Sequence, residues 1–375
     1  MARFLVTGGA GYVGSHVVLA LLDDGHDVTV LDSLRTGHRQ AVPPAATFVQ
    51  GDLADAACLE QVLSSGPWDA VLHFAALSLV GESMQNPQLY MQANAGCGFA
   101  LIDACVRHGV KRFVFSSTAN LFGSAGKALI DEDTPIDPGS PYGESKYMVE
   151  RALHWADRLH GLKSACLRYF NAAGADPAGR AGEDHKPETH LIPLTIDAAL
   201  GRRAALSLFG TDYPTPDGTC VRDYVHVTDL ARAHLAVLPL LNERSVVFNV
   251  GTGHGNSNRE IIETVGRVSG HPVPWQAAPR REGAPASLVA SPPRLRCCDQ
   301  SSPHPCGSPS LRVTRRPPFA PSPASFRASV VLPTPPFWLR QAAIPGGLPA
   351  GRQRGCSGAA SRRDPRYVRR GTLGS

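Results

Sequence analysis

A doubly wound α/β fold is the class this sequence predicts, and three observations predict it. Short, almost wholly apolar runs alternate with longer stretches of helical period through the first 170 residues. Strands of a parallel sheet read this way, because helices cover them on both faces. A glycine-rich turn, Gly8-Gly9-Ala10-Gly11-Tyr12-Val13-Gly14, directly follows the first apolar run. An acidic residue, Asp32, ends the second run, near the ~20-residue offset of a dinucleotide-binding unit. Together they predict a Rossmann sheet with a smaller C-terminal lobe laid over the carboxyl ends of its strands.

The elements follow in order. Strands are predicted at 3–7, 27–31, 47–50, 70–74, 112–116 and 164–169, and helices at 12–24, 88–108 and 142–160. After Asn171 the rhythm loosens: a loop at 173–184, a helix at 190–201, a strand at 206–209, and helices at 227–241 and 257–269. Three segments result: a dinucleotide-binding domain over 1–171, a substrate lobe over 172–290 with elements interleaved with the first, and a tail over 291–375.

Composition sets the tail apart. The chain of 375 residues is 43% apolar and 18% charged, with a net charge of +5. Residues 291–375 hold 14 Arg and 2 Asp but no Lys or Glu, a net of +12, which leaves −7 for residues 1–290. The tail also carries 15 of the 32 prolines. It reads either as a disordered segment or as the out-of-frame translation of a GC-rich coding sequence. A nucleic-acid arm is the weaker reading, because Lys is absent and the aromatics are few, so no nucleic-acid partner is expected.

No run approaches the ~18 apolar residues of a membrane span, so no membrane partner is expected. The Gly cluster interrupts the apolar N-terminus and no cleavage pattern follows, so a signal peptide is not indicated and a cytoplasmic enzyme is expected. Nine cysteines form no CxxC pair and the 14 histidines no HExxH set, so neither a metal nor a disulfide framework is indicated.

The glycines let the turn be tight and let the backbone approach a pyrophosphate, which the following helix N-terminus can bind. Alone such a match is an ordinary turn; its strand–turn–helix setting gives it meaning. Asp32 can accept hydrogen bonds from ribose hydroxyls and would repel a 2′-phosphate, favouring NAD over NADP; Arg35 nearby is the contrary sign. Asp52 and Leu53 follow the third strand, where an adenine edge would lie. Phe74, Ala75 and Ala76 follow the fourth, where pyrophosphate and ribose pass. An Ala-Ala pair is by itself simple packing, and only its position gives it weight.

The candidate catalytic set is Tyr142 and Lys146 with Thr118 upstream. Tyr and Lys four apart on a helix share a face. A phenol titrates at about 10, too high for a base at neutral pH. A neighbouring ammonium and a positive nicotinamide ring would stabilise the phenolate. Thr118, just past the fifth strand, offers a hydroxyl to bridge substrate and Tyr142. A bare YxxxK is otherwise an exposed helix face; the preceding Pro-Tyr turn and the upstream Ser-Ser-Thr favour the functional reading.

At these residues the sequence resembles the extended short-chain dehydrogenase/reductases, and among them the UDP-glucose 4-epimerases. The resemblance runs in order over about residues 1–290, through ThrGlyGlyAlaGlyTyrValGlySerHis (7–16), HisPheAlaAla (73–76), ValGlyGluSer (80–83), PheSerSerThrAlaAsn (115–120), SerProTyrGlyGluSerLys (140–146) and LeuArgTyrPheAsn (167–171). It continues through the stretch from Phe209 to Val227, AsnValGlyThrGly (249–253) and ProArgArgGluGly (279–283). It implies NAD-dependent interconversion of UDP-glucose and UDP-galactose by transient oxidation at the sugar C4, with hydride returned to the opposite face. The N-acetylated pair is a possible extension, and a UDP-pentose or UDP-uronate 4-epimerase is the alternative. A 4,6-dehydratase is disfavoured, since Thr118 is followed by Ala119 and Asn120 rather than an acid. A chain that binds NAD without turnover is the remaining reading.

Carried over, the resemblance implies that Gly8, Gly11, Tyr12, Val13, Gly14, Asp32, Asp52, Leu53, Phe74, Ala75, Ala76, Asn94, Tyr142, Lys146 and Phe170 line the NAD site. Tyr142 is the base, Thr118 relays its proton beside the substrate and Lys146 supports it. Asn171, His190, Leu191, Phe209, Arg222 and Arg281 face the UDP-sugar; a guanidinium fork matches a diphosphate. The family also implies a homodimer built on the helices at about 88–108 and 142–160. The sequence departs from the family pattern at Ser78, where a cofactor-contacting Lys is frequent, and at Ala284, where an Asp is expected. Ser287 stands where a bulky side chain would exclude an N-acetyl group.

Overall fold

The computed structural model describes residues 1–123, 129–281 and 285–291. The tail reading for 291–375 therefore falls, beyond Ser291, outside the described residues, as does Ala284.

The chain runs β1 (Arg3–Thr7), α1 (Tyr12–Asp23), β2 (Asp27–Asp32), β3 (Thr47–Gln50), α2 (Ala56–Ser64), β4 (Ala70–His73), α3 (Val80–Gln85), α4 (Pro87–Tyr90), α5 (Cys97–Arg107), β5 (Arg112–Thr118), α6 (Pro141–His160) and β6 (Lys163–Tyr169). It continues β7 (Asn171–Ala173), α7 (Leu191–Ala199), β8 (Leu206–Phe209), β9 (Val221–His226), α8 (Val227–Ala236), β10 (Val246–Val250), β11 (Gly255–Ser257), α9 (Asn258–Ser269), β12 (Trp275–Ala278) and β13 (Ser287–Leu288).

Seven strands form one parallel sheet in the order β3-β2-β1-β4-β5-β6-β10. The predicted doubly wound fold is observed. Its winding reverses between β1 and β4, and ligands of open α/β sheets bind outside the carboxyl ends of the strands at such a switch point. One apolar core joins β1, β2 and α1 to α8 and β10, through Phe4, Val6, Val17, Leu230, Val237 and Val250. The other lies on the opposite face, where Leu101 of α5 and Leu153 of α6 pack on Val71 and Phe113. Beyond the sheet, β9 pairs with β7, β11 and β13, β8 pairs with β12, and α7 packs on α9.

Two predicted helices are corrected and one strand is added. The helix at 88–108 is two helices joined by a π-helical turn, Met91–Gly96, whose extra residue turns Asn94 inward. The helix at 227–241 ends at Ala236 and gives way to a 3-10 turn, Leu238–Asn242, because Pro239 cannot donate to the ladder. The chain after Asn171 also returns to the large sheet as β10, a strand the apolar pattern did not reveal. No helix among the described residues is long and apolar enough to cross a membrane.

Candidate active site

The switch point is closed by glycine. Gly8 has φ +75° and its N–H donates to Leu31 O at 2.9 Å. A Cβ at Gly8 would lie 2.3 Å from Ala75 N, and one at Gly14 would lie 2.2 Å from Gly8 O. The loops leaving β1 and β4 therefore meet backbone to backbone, and Phe74 N and Ala75 N both donate to Thr7 O, at 2.9 and 3.1 Å. At Gly11 the nearest atom to an added Cβ is 3.4 Å away, so this face of the turn is open. Gly11 is also the N-cap of α1 and no side chain caps it. The first-turn N–H groups of Tyr12, Val13 and Gly14 and the positive end of the helix dipole thus face outward, as an anion requires.

Asp32 is buried at the end of β2. Its Oδ2 accepts from Ala10 N at 2.9 Å and its Oδ1 from Leu34 N at 2.8 Å, so the carboxylate is fixed beside the turn with a lone pair left on each oxygen. Leu34 takes φ +60° to make its bond. Asp52 is exposed and accepts from Ala54 N, while Leu53 turns into the core. An open glycine face, an uncapped helix and a fixed carboxylate fit a dinucleotide. Asn94 is fully engaged by protein: its Oδ1 accepts from Leu77 N and its Nδ2 donates to Leu77 O and Ser145 Oγ. It ties the loop after β4 to α6. Ala76 and Ser78 lie on that loop, with Ser78 exposed.

α6 carries the second set. The Ser140 hydroxyl accepts from Gly143 N at 3.2 Å and Pro141 opens the first turn, so Tyr142 enters helical from its start. Tyr142 and Lys146 are both buried. Thr118 Oγ1 accepts from Asn120 N and Nδ2, each at 3.1 Å, which leaves its own hydrogen to donate. Burial pushes the Tyr142 phenol up, and the Thr118 hydroxyl pulls it back down. Lys146 Nζ donates to Ser116 O at 2.9 Å, and burial pulls its own ammonium down to about 7.

One turn further, Glu150 anchors the helix. Its Oε1 accepts from Ser117 Oγ at 2.5 Å and Arg168 Nε at 3.0 Å, and its Oε2 from Arg168 Nη2 at 2.6 Å. This buried triad locks α6 to β5 and β6; the sequence reading did not single it out.

The remaining lobe supplies a second rim. Phe170 is buried, and Asn171 Nδ2 donates to Asp223 O at 3.1 Å. Arg281 lies over the Phe209 ring at 4.2 Å, so two predicted residues come together. Arg222 donates to Val221 O on β9, and Ser287 pairs with Val221 in register. His190 caps α7 just before Leu191; it is exposed and its imidazole bonds to Glu183. Asp223, not singled out from sequence, is fully buried: it accepts from Thr252 N and Oγ1, Gly253 N and Ala290 N. Also unforeseen is a cluster of Glu183, His185, Glu188 and His190; spaced over eight residues, it matches no HExxH-type pattern.

The family model described as "NAD dependent epimerase/dehydratase family" matches residues 4–251. A UDP-glucose 4-epimerase of Lacticaseibacillus casei is 50% identical over 293 residues, 78% of this chain and 88% of that one. The UDP-glucose 4-epimerase of Brucella ovis in complex with NAD superposes with TM-score 0.75 at 44% identity, covering 78% of this chain and 90% of the other. That of Bifidobacterium longum in complex with NAD+ and UDP gives TM-score 0.74 at 36% identity, over 77% and 90% of the two chains.

Proposed function

The chain belongs to the NAD dependent epimerase/dehydratase family, and from this premise we propose that it interconverts UDP-glucose and UDP-galactose through oxidation and re-reduction at the sugar C4. The observation that carries the reading is the buried Thr118–Tyr142–Lys146 set beside an open glycine turn at the sheet's switch point. NAD, held at Gly11–Gly14 and Asp32, supplies the hydride acceptor and donor when bound.

The chain's own residues manage the proton and the grip. Tyr142 takes the C4 hydroxyl proton and returns it, with Thr118 donating to the phenolate oxygen. Lys146 fixes the face of α6 through Ser116. Arg222 and Arg281 bind the diphosphate as guanidinium forks, and Asn171, His190, Leu191 and Phe209 border the nucleotide. Held by that remote handle, the keto sugar can turn over without leaving. The small Ser287 leaves room for an N-acetyl group. Residues 1–171 form the cofactor domain and 172–290 the substrate lobe. A homodimer through α5 and α6 fits the exposed Phe99, Trp155 and Leu159, and a cytoplasmic setting fits the five unpaired cysteines among the described residues.

The test is a coupled assay on UDP-galactose with and without added NAD, for wild type and Tyr142→Phe. The variant should lose about 10²–10⁴ in kcat while retaining NAD. Near-normal turnover would refute the role of Tyr142. Turnover of UDP-galactose with none of UDP-N-acetylglucosamine would remove the N-acetyl extension.

A further inference from the structure

Between β7 and α7 the chain carries Glu183, His185, Glu188 and His190, and one ligand atom from each lies within 4.8 Å of every other. The two carboxylates are largely buried, with side chains 9% and 15% exposed, and the ion pairs they make are with the two histidines. His185 Nδ1 is buried with no well-aligned hydrogen bond, only the two long carboxylate contacts. It faces Glu183 Oε1 at 3.4 Å and Glu188 Oε2 at 3.6 Å. Glu188 Oε1 accepts from Thr189 N and His190 N at 2.7 and 2.8 Å. Those bonds fix the carboxylate and leave Oε2 turned toward His185.

From this geometry we propose that the four side chains form a binding site for a divalent transition-metal cation such as zinc. Ligands about 2.1 Å from a tetrahedral ion lie about 3.4 Å from one another. The two His185 separations already match that edge; the His190–Glu183 contact is shorter and would open to admit the ion. Two imidazoles with two carboxylates suit zinc or cobalt, whereas calcium and magnesium prefer oxygen alone. Once the imidazoles have given up any proton to solvent on binding, the two carboxylates balance a divalent ion in charge. The backbone bonds to Glu188 serve as the outer shell that orients a ligand. The site adjoins the glycine turn: the Tyr12 ring stands edge-on to His185 at 6.2 Å, and its hydroxyl donates to Gly174 O at 2.7 Å. A bound ion would therefore tie the 183–190 segment to the first turn of α1.

The experiment is a titration of the full, chelator-stripped chain with cobalt(II), followed by displacement with zinc. The expected result is one cobalt per chain, with visible ligand-field bands, no thiolate-to-cobalt band in the near ultraviolet, and displacement by zinc. His185→Ala and, separately, Glu188→Gln should each weaken binding at least about tenfold, with circular dichroism unchanged. X-ray absorption of the zinc-loaded wild-type chain needs no variant and should show imidazole scattering in a nitrogen/oxygen shell. The proposal is overturned by any of three results: no saturable binding, a thiolate band that places the ion on cysteine instead, or wild-type affinity in both variants.

Discussion

Thr118→Val isolates the proton relay. In the structure the Thr118 oxygen accepts twice from Asn120 at 3.1 Å, so its hydrogen is the part offered to Tyr142. Burial opposes the phenolate, and Thr118 is the group that favours it. A hydrogen bond to a charged group contributes about 1.5–3 kcal/mol. At about 1.4 kcal/mol per tenfold, its loss should lower kcat at neutral pH by about 10- to 150-fold. The sign in pH is fixed by the same argument. Without its donor the phenolate is less favoured, so the rising limb of kcat against pH moves to higher pH. Valine keeps the branched shape at the end of β5, and Thr118→Ser restores donor and acceptor together, so it should restore the profile. The assay is kcat for UDP-galactose across pH, with bound NAD quantified in each variant. A uniform loss at every pH with the limb unmoved would mean that the change displaces the site rather than disarming the relay. An unchanged kcat would remove Thr118 from the mechanism altogether.

Three further outcomes follow from the packing. Glu150→Gln leaves the buried Arg168 guanidinium without its anion; breaking such a pair costs about 3–5 kcal/mol, and the thermal midpoint should drop by roughly 6–20 °C. Gly8→Ala places a Cβ 2.3 Å from Ala75 N at φ +75°, so both the midpoint and NAD retention should fall; Gly11→Ala, at φ −83° with its Cβ in ordinary contact 3.4 Å from Gly8 O, should lose NAD affinity at an unchanged midpoint. Burial holds His73 and His234 neutral down to about 3 and about 4, so below about pH 6.5 the unfolded chain binds protons that the folded chain does not, and stability must fall with pH. His234→Phe, which also removes the unpartnered Nε2, should flatten part of that fall in thermal unfolding measured from pH 7 to pH 4.

What the sequence disclosed divides along a physical line. β1, β2, β4, β5 and β6 are legible because they lie inside the sheet with most of their residues buried, and burial writes a continuous apolar run; β3, at one edge with no buried residue, is read only from its short Thr-Phe-Val stretch. β10 lies at the sheet edge with Val247 exposed and an Asn within it, so its run is interrupted. The glycine turn is legible because sterics at Gly8 and Gly14 admit nothing else. The π-helical turn is not, because no local period announces it: it is held by bonds from Asn94 to Leu77 and Ser145, 17 and 51 residues away. Asp223 is hidden for the same reason. An aspartate in a short strand reads as exposed until donors from residues 252, 253 and 290 converge on it. Motif spacing brings Tyr142, Lys146 and Thr118 forward as candidates, but not the bond from Lys146 to Ser116, since spacing gives the shared face and not where the ammonium ends.

The same line separates the proposed functional division from the folding unit. A boundary at Asn171 follows the chemistry, with cofactor residues before it and sugar residues after. Burial does not respect it. α8 packs on α1, and Leu230, Ala233, Val237 and Val250 lie in one core with Phe4, Val6 and Val17. β10 covers the edge of β6 over five paired residues. A fragment ending at Asn171 would expose that edge and strip α1 of its apolar cover, both routes to aggregation. Residues 1–171 alone should therefore give neither a cooperative thermal transition nor NAD binding, whereas residues 1–291 should give both. A soluble, cooperative 1–171 fragment would show that the first core closes without α8 and that the returning strand serves the sugar lobe alone.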